Sequence, residues 1–408
     1  MQTTLPAPRF VFAVTALARG GTLSVMRTVW PSLERHGPVQ VISHGPDAVS
    51  IERPVISAGG RFSAPMRFPA IWVYLLRMTW ACLRSVRGRP SSLLLPQDSI
   101  ATGAAAGLAG WLTGTPVVVM EHGSAIAVVS DYYWHERIVA RRFRDRLTKP
   151  ILRLSALALH RLCLRLADAA LIAGDESAAA YRAAGMPDDR LFHYHFPVDL
   201  ERFHPATAEE RAESRAAFGL PTEAVVVVSI SRLTPEKGLD VLVDVVGDLQ
   251  GTPRRVLAIG GDGPQREVLE RRARERGVDA RFAGALDPDG VARLLRAGDI
   301  FVYAGRQGAN TPYAVLEAMA SGLAVVATTE PRVHAAMLAD GRGIAVAADD
   351  QAAMATAVRE LVDGTEQRES MGAAARAYVA EHHSAARLDA ELDAFVAGIA
   401  RLRRPRRR

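Results

Sequence analysis

The sequence predicts an α/β protein built as two doubly wound domains. Three observations carry this. Short β-branched runs alternate with longer helical patterns nearly throughout, which is how βαβ units with parallel sheets read. The rhythm breaks at a proline-punctuated stretch between Phe196 and Leu220 and then restarts. Glycine-rich and charged motifs recur where a strand hands over to a helix, the sheet edge at which doubly wound folds hold ligands. The length agrees, since 408 residues exceed one ordinary domain of about 150 residues.

In the first half, strands are expected over Phe10–Thr15, Val39–Ile42, Leu93–Leu95, Val117–Met120 and Ala169–Ile172. Helical stretches between them include Thr22–His36, Pro69–Arg87 and Ser99–Leu112. Arg9 followed by the apolar run Phe10 to Ala18 also has the outline of a signal peptide. The run is short and ends at Gly20-Gly21, which favours a buried first strand and a βα turn. Pro197, Pro205 and Pro221 punctuate the linker, and a short charged helix, Ala206–Ala217, lies inside it. The second half opens on Ala224–Ile230, a valine run typical of a strand buried on both faces. Arg255–Gly260, Arg281–Ala283, Ile300–Tyr303 and Ala324–Ala327 follow, and the chain ends in helices over Ala352–Asp363, Gln367–Glu381 and Ser384–Leu402. The expected division is residues 1–200, a linker over 201–222, a second domain over 223–383, and a C-terminal helix with a basic tail over 384–408.

Composition excludes several classes. Hydrophobic residues make up 49% and charged residues 23%, so the chain is globular rather than disordered. No run of 18 uncharged apolar residues marks a spanning helix. Cys82 and Cys163 are too few for a disulfide framework or a zinc site and are read as reduced core thiols of a cytoplasmic protein. The net charge of +6 equals the six arginines among Arg401 to Arg408. A second basic stretch, Arg137 to Leu166, holds nine Arg or Lys and one acid, Asp145. Basicity is therefore local and points to anionic partners at particular surfaces. No aromatic-interleaved basic sheet accompanies the tail, so a specific nucleic-acid partner is not expected.

Six motifs carry chemistry. Gly20 and Gly21 lie between the first strand and helix, either as a plain turn or as backbone that approaches a ligand. Ser231 to Gly238 follows the valine strand and places Arg232 and Lys237 beside a helix start opened by Pro235, a seat for a diphosphate. Gly261-Asp262-Gly263 makes the next strand-to-helix turn, with Pro264 suited to a first helical turn. Glu317, set among Ala, Met and Leu near a helix start, is costly to bury unless a ligand hydroxyl or a structural partner satisfies it. His122 and Gly123 follow the strand Val117–Met120, where a histidine can donate to a sugar hydroxyl or shuttle a proton. Asp98 occupies an equivalent strand end, as an acceptor contact or as the N-cap of the helix that follows.

The second half resembles the retaining glycosyltransferases of family 4. The residues that carry the resemblance are Ser231-Arg232-Leu233 with Lys237-Gly238, Gly261-Asp262-Gly263-Pro264, and Leu316-Glu317-Ala318-Met319-Ala320-Ser321-Gly322. The resemblance is thinner in the first half, through Gly20-Gly21 and His122-Gly123. It implies the GT-B fold, two facing Rossmann-like domains with an interdomain cleft, and a C-terminal helix that returns to the first domain. It implies that Arg232 and Lys237 hold the donor diphosphate, that Glu317 accepts from the ribose, and that the backbone at Gly284, Ala285 and Leu286 meets the nucleobase. Leu316 would flank the ribose contact. One departure stands out. The family carries a second Glu eight residues before the helix acid, and here that position is Ala309, followed by Asn310, Thr311 and Pro312 in place of Gly-Phe-Gly.

The function expected from this resemblance is retaining, metal-independent transfer of a sugar from a UDP- or GDP-linked donor, with no further cofactor. The acceptor hydroxyl would belong to a sugar, a lipid-linked glycan or a small molecule, contacted from Asp98, His122 and Gly123. The mixture of Trp72, Trp80 and Phe143 with leucines and arginines in Pro69–Arg87 and Arg137–Leu166 suits either packing inside the first domain or an anionic membrane surface. The first alternative leaves the protein cytoplasmic, and the second places it peripherally on the inner face of the membrane. Ala309 and Pro312 motivate the alternative, a non-catalytic sugar-nucleotide-binding protein.

Overall fold

The computed structural model describes residues 7–14, 21–43, 55–58, 70–121, 143–173, 175–249, 253–306, 313–329 and 333–399. The chain forms two compact units, residues 1–196 with 386–408, and residues 197–385.

In unit 1 the strands are β1 (Arg9–Val14), β2 (Val39–Ser43), β3 (Val55–Ser57), β4 (Ser92–Pro96), β5 (Val118–Glu121), β6 (Ala169–Ile172) and β7 (Leu191–His193). They run parallel in the orders β3-β2-β1-β4 and β5-β6-β7, and a parallel bridge between Leu94 and Val117 connects the two groups. Within the run considered as a signal segment, the described residues belong to β1, which is pinned between β2 and β4 and buried. The helices are α1 (Gly21–Glu34), α2 (Ala70–Val86), α3 (Ala101–Thr113), α4 (Phe143–Leu166) and α5 (Asp175–Ala183). Both cysteines are buried free thiols, Cys82 on α2 and Cys163 on α4. A buried aspartate closes the sheet between β5 and β6, since Asp168 Oδ2 accepts from the Val117 amide at 3.0 Å.

The last helix of unit 1 comes from the far end of the chain. It is α14 (Ala385–Ile399), and its buried face is Leu388, Leu392, Phe395 and Ile399. Phe395 meets Phe192 edge to face with centroids 5.2 Å apart. Glu391 accepts from the His195 amide at 2.8 Å and faces its Nδ1 at 2.7 Å. Burial alone would raise the Glu391 carboxyl, but the bonds from His195 and Arg387 hold it below its ordinary value.

Unit 2 contains β8 (Val225–Ile230), β9 (Arg255–Gly260), β10 (Ala280–Gly284), β11 (Ile300–Tyr303), β12 (Ala324–Thr328) and β13 (Ile344–Val346), in the order β10-β9-β8-β11-β12-β13 and all parallel. The order reverses between β8 and β11, so β8 and β11 diverge at a topological switch point. Helices α6 (Ala208–Ala217), α7 (Leu239–Asp248), α8 (Arg266–Glu275), α9 (Pro288–Ala297), α10 (Tyr313–Ala320), α11 (Val333–Met337), α12 (Gln351–Asp363) and α13 (Thr365–His382) complete it.

Local chemistry explains several of these starts. Thr207 and Glu210 form a capping box that opens α6. Asp287 caps α9 by accepting from the Gly290 amide at 2.7 Å, and Pro288 fills the first helical position. Arg215 is buried at 5% exposure, and each of its guanidinium nitrogens donates a hydrogen bond. It donates to the carbonyls of Ala297, Ala224, Pro221 and Thr222 and to Asp299. Asp299 also accepts from the Val226 amide at 2.7 Å, so one satisfied ion pair fastens α6 to the base of β8.

Candidate functional site

The strongest constellation lies in unit 2, where β8, β9 and β10 end side by side and three loops leave their carboxyl edge. The β8 loop continues the sheet for one residue, with the Ser231 amide donating to the Gly260 carbonyl at 3.0 Å. Leu233 then turns inward and is fully buried. Its amide donates to the Asp262 carbonyl and its carbonyl accepts from the Gln265 amide, both at 3.0 Å. Anchoring Leu233 leaves its neighbour Arg232 facing water, with the side chain 56% exposed and Glu236 Oε1 3.9 Å away.

The proline does not open an α-helix directly. Pro235–Lys237 form one turn of 3₁₀ helix, and Gly238, at φ +63°, passes the chain into α7. A Cβ at Gly238 would stand 2.0 Å from the Ala304 carbonyl oxygen, so only glycine fits. Lys237 Nζ lies 5.7 Å from the Tyr303 ring centroid. The second loop is pressed on the first. Gly261, at φ +124°, would place a Cβ 1.9 Å from the Ser231 carbonyl oxygen, and one at Gly263 would meet that of Leu233 at 2.5 Å. Asp262 Oδ1 accepts from the Gly263 amide at 2.7 Å. Pro264 precedes the first turn of α8 rather than lying within it. The third loop joins through the Gly261 amide, which donates to the Gly284 carbonyl at 2.7 Å. Leu286 packs its side chain against Gly260 and Gly290.

These contacts bring Arg232, Lys237, Gly261, Asp262, Gly263, Gly284 and Leu286 onto three backbone-stitched loops at one sheet edge. Two cations, exposed backbone and the start of α7 can together seat an anionic group.

Glu317 belongs to the second turn of α10, not the first. Burial pushes its carboxyl up to about 7, and Arg202 offsets this only partly. No hydrogen bond to its carboxylate occurs among the described residues. Burial, and then the Glu317 charge, push the nearby Tyr313 phenol up as well. Leu316 is fully buried in the core, so only its backbone could meet a ligand.

In unit 1, Asp98 Oδ1 accepts from the amides of Ile100 at 2.9 Å and Thr102 at 3.1 Å, at the start of α3. Burial lifts its carboxyl above the ordinary value although these amides hydrogen-bond to it. Its structural task is therefore visible. Gly21 is the first residue of α1. Gly20, His122, Gly123, Ala309, Asn310, Thr311 and Pro312 lie outside the described residues, as does the tail 401–408.

One residue of this region escapes the sequence. Arg306, just past β11, grips Asp240 with Nη1 and Nη2, both at 2.9 Å. It also donates to Asp349 at 2.5 Å and to the Pro235 carbonyl at 2.8 Å, and its amide donates to the Glu236 carbonyl at 3.0 Å. It thus holds the 3₁₀ turn that carries Lys237. A charge at a strand end is a faint signal for this, and partners 66 and 43 residues distant give none.

Comparison with known proteins fits this geometry. Residues 210–378 match the family described as Glycosyl transferases group 1. A curated GDP-mannose-dependent monoacylated alpha-(1-6)-phosphatidylinositol monomannoside mannosyltransferase of Corynebacterium glutamicum is 32% identical over 45% of this chain and 51% of its own length. The match thus spans about half the length of that relative. Sucrose-phosphate synthase of Thermosynechococcus elongatus superposes with a TM-score of 0.76 over 97% of this chain and 99% of its own, at 18% identity. Anabaena Alr3699/HepE in complex with UDP superposes with a TM-score of 0.72 over 95% of this chain and 99% of its own, at 15% identity. The fold is GT-B, and the chain resembles the group 1 glycosyltransferases.

Proposed function

We propose that this protein is a retaining, metal-independent glycosyltransferase that moves a sugar from a nucleotide diphosphate sugar to an acceptor hydroxyl. The observation that carries the reading is the convergence of Arg232, Lys237 and the glycine loops at one sheet edge, inside the segment that matches the family.

As the glycosidic bond breaks, negative charge grows on the departing diphosphate. Arg232 and Lys237, prepositioned beside the start of α7, neutralise it. Glycines at 261 and 263 let the phosphates approach main chain, Gly284 and Leu286 border the base, and Glu317 accepts from the ribose hydroxyls, which satisfies a carboxylate that has no hydrogen-bond partner among the described residues. The family resemblance assigns Asn310, Thr311, Pro312, Gly20 and Gly21 to the donor sugar. The acceptor is assigned to His122, Gly123 and Asp98. The acceptor attacks from the face the diphosphate leaves, and its proton passes to the leaving phosphate oxygen. The sequence relative named above favours a GDP-linked donor and a lipid-linked acceptor.

Ala309 supports a second reading, a non-catalytic sugar-nucleotide-binding protein. Thermal shift with GDP, UDP, ADP and NAD tests the shared part. A ligand at 100 times its dissociation constant stabilises the fold by about 2.7 kcal/mol. A shift with GDP or UDP that disappears in Arg232→Ala is expected, and no shift with any nucleotide would overturn both readings. Release of free nucleotide diphosphate from its sugar conjugate in the presence of acceptor separates the first from the second. Removing one preorganised charge should slow that release by about 10²–10³-fold.

A further inference from the structure

The large apolar side chains that stand in solvent are not scattered. Trp72, Val73, Leu76 and Trp80 lie on α2, Trp111 and Leu112 at the end of α3, and Ile151 and Leu154 on α4; among the described residues, only Val268 on α8 lies elsewhere. Exposure is high, at 71% for Leu76, 66% for Leu154, 62% for Trp111 and 58% for Trp80.

These helices form one layer. Tyr74 on α2 meets the Thr102 hydroxyl on α3 at 2.7 Å. On α3, a Cβ at Gly103 would stand 2.5 Å from Cys163 Sγ and one at Gly107 would stand 2.8 Å from Leu166 Cβ, so α4 side chains press directly on the glycines of α3. The inner face of α2 is already spent on this core through Ile71, Tyr74, Leu75 and Met78. Positions 72, 73, 76 and 80 make a second apolar stripe on its outer face. A helix that is apolar on both faces belongs inside a protein or against lipid.

Charge selects between occupants. α2 and α3 contain no acid, and exposed arginines punctuate the layer: Arg77 and Arg84 on α2, and Arg153, Arg161 and Arg165 on α4. Arg84 lies over the Trp80 ring, 5.4 Å from its centroid. Tryptophan at headgroup depth with a cation reaching the phosphates is the arrangement of a membrane-water interface. Among the described residues, no helix is long and apolar enough to cross a membrane.

We propose that the outer face of the α2–α3–α4 layer docks on an anionic phospholipid bilayer. Trp72, Leu76, Trp80 and Trp111 enter the headgroup boundary, and the arginines pair with lipid phosphate. The proposal stands on this surface alone and does not require the transferase reading.

The test is sedimentation of the full chain with vesicles of phosphatidylcholine alone or with 30% phosphatidylglycerol, alongside tryptophan emission. The expected result is binding at least tenfold tighter to the anionic vesicles, with a blue shift of the emission. Leu76→Ser with Trp80→Ser should lower the partition at least tenfold while the far-ultraviolet circular dichroism is kept, and the single change Leu76→Glu serves if the pair does not fold. A chain ending at residue 400 should keep most of the binding. Failure of the full chain to bind, binding that survives the helix substitutions, or binding lost with the arginine tail alone would each overturn the proposal. So would a lipid-free dimer, seen by analytical ultracentrifugation, that the same substitutions dissolve, because a second copy would then be the occupant.

Discussion

Glu317→Gln removes a charge that unit 2 can hold only at a cost. The carboxyl is pushed from 4.5 up to about 7 by burial. The folded state therefore keeps the proton that the unfolded chain has already released. The stability this group contributes is complete below pH ~4, falls as pH rises, and is gone above pH ~7. The difference sets a ceiling of about 3 kcal/mol at pH 8, with under about 1 kcal/mol at pH 5. For a unit of this size that is up to about 6–12 °C in Tm. Thermal denaturation of the wild type and the variant at pH 5 and pH 8 reads it directly. The glutamine variant should gain at pH 8 and hardly at pH 5. A gain equal at both pH values, or a variant less stable than wild type at pH 8, would refute the reasoning. The same carboxylate should be ionised when it accepts from ribose hydroxyls. Nucleotide binding at pH 7 should then release up to about half a proton, measurable by calorimetry in buffers of different ionisation enthalpy.

Two further perturbations probe the loop that carries Lys237. Arg306→Met releases Asp240, Asp349 and the Pro235 carbonyl; it should cost about 1–3 kcal/mol and weaken GDP more than guanosine in a titration. Equal weakening of both would remove Arg306 from any role in placing the cation. Gly238→Ala forces a side chain into a left-handed backbone and against the Ala304 carbonyl. It should lower stability by more than about 2 kcal/mol, seen in urea unfolding, and a variant as stable as wild type would show that the loop gives way.

Much of this is legible in sequence, and the reasons for the rest are physical. The valine run of β8 reads as a doubly buried strand because both its faces are covered. The loops after β8 and β9 read clearly because glycine is placed by sterics, whatever the distant sequence. Strands β3, β7 and β13 have three residues each and lie at sheet edges, where burial is incomplete and the apolar signal is weak. Pro235 marks a helix start, but the 3₁₀ turn it makes depends on Gly238 being held against Ala304. Asp98 reads as a ligand contact or as a helix start, and its bonds to the amides of Ile100 and Thr102 show only in the folded chain. The grip of Arg306 on Asp240 joins residues that no local period relates.

The path of the chain through unit 1 has a consequence for its synthesis. Among the described residues its strands lie in the first 193 positions, yet Leu392 and Phe395, both fully buried, arrive with α14. A ribosome making this chain releases all of residues 197–385 before the piece that finishes unit 1 is available. The unit that starts first is thus completed last. Until then Phe192 and His195 have neither the ring nor the carboxylate that receives them. A released chain cut short before Ala385 should carry a finished unit 2 and an open unit 1, the form in which a chaperone would meet it.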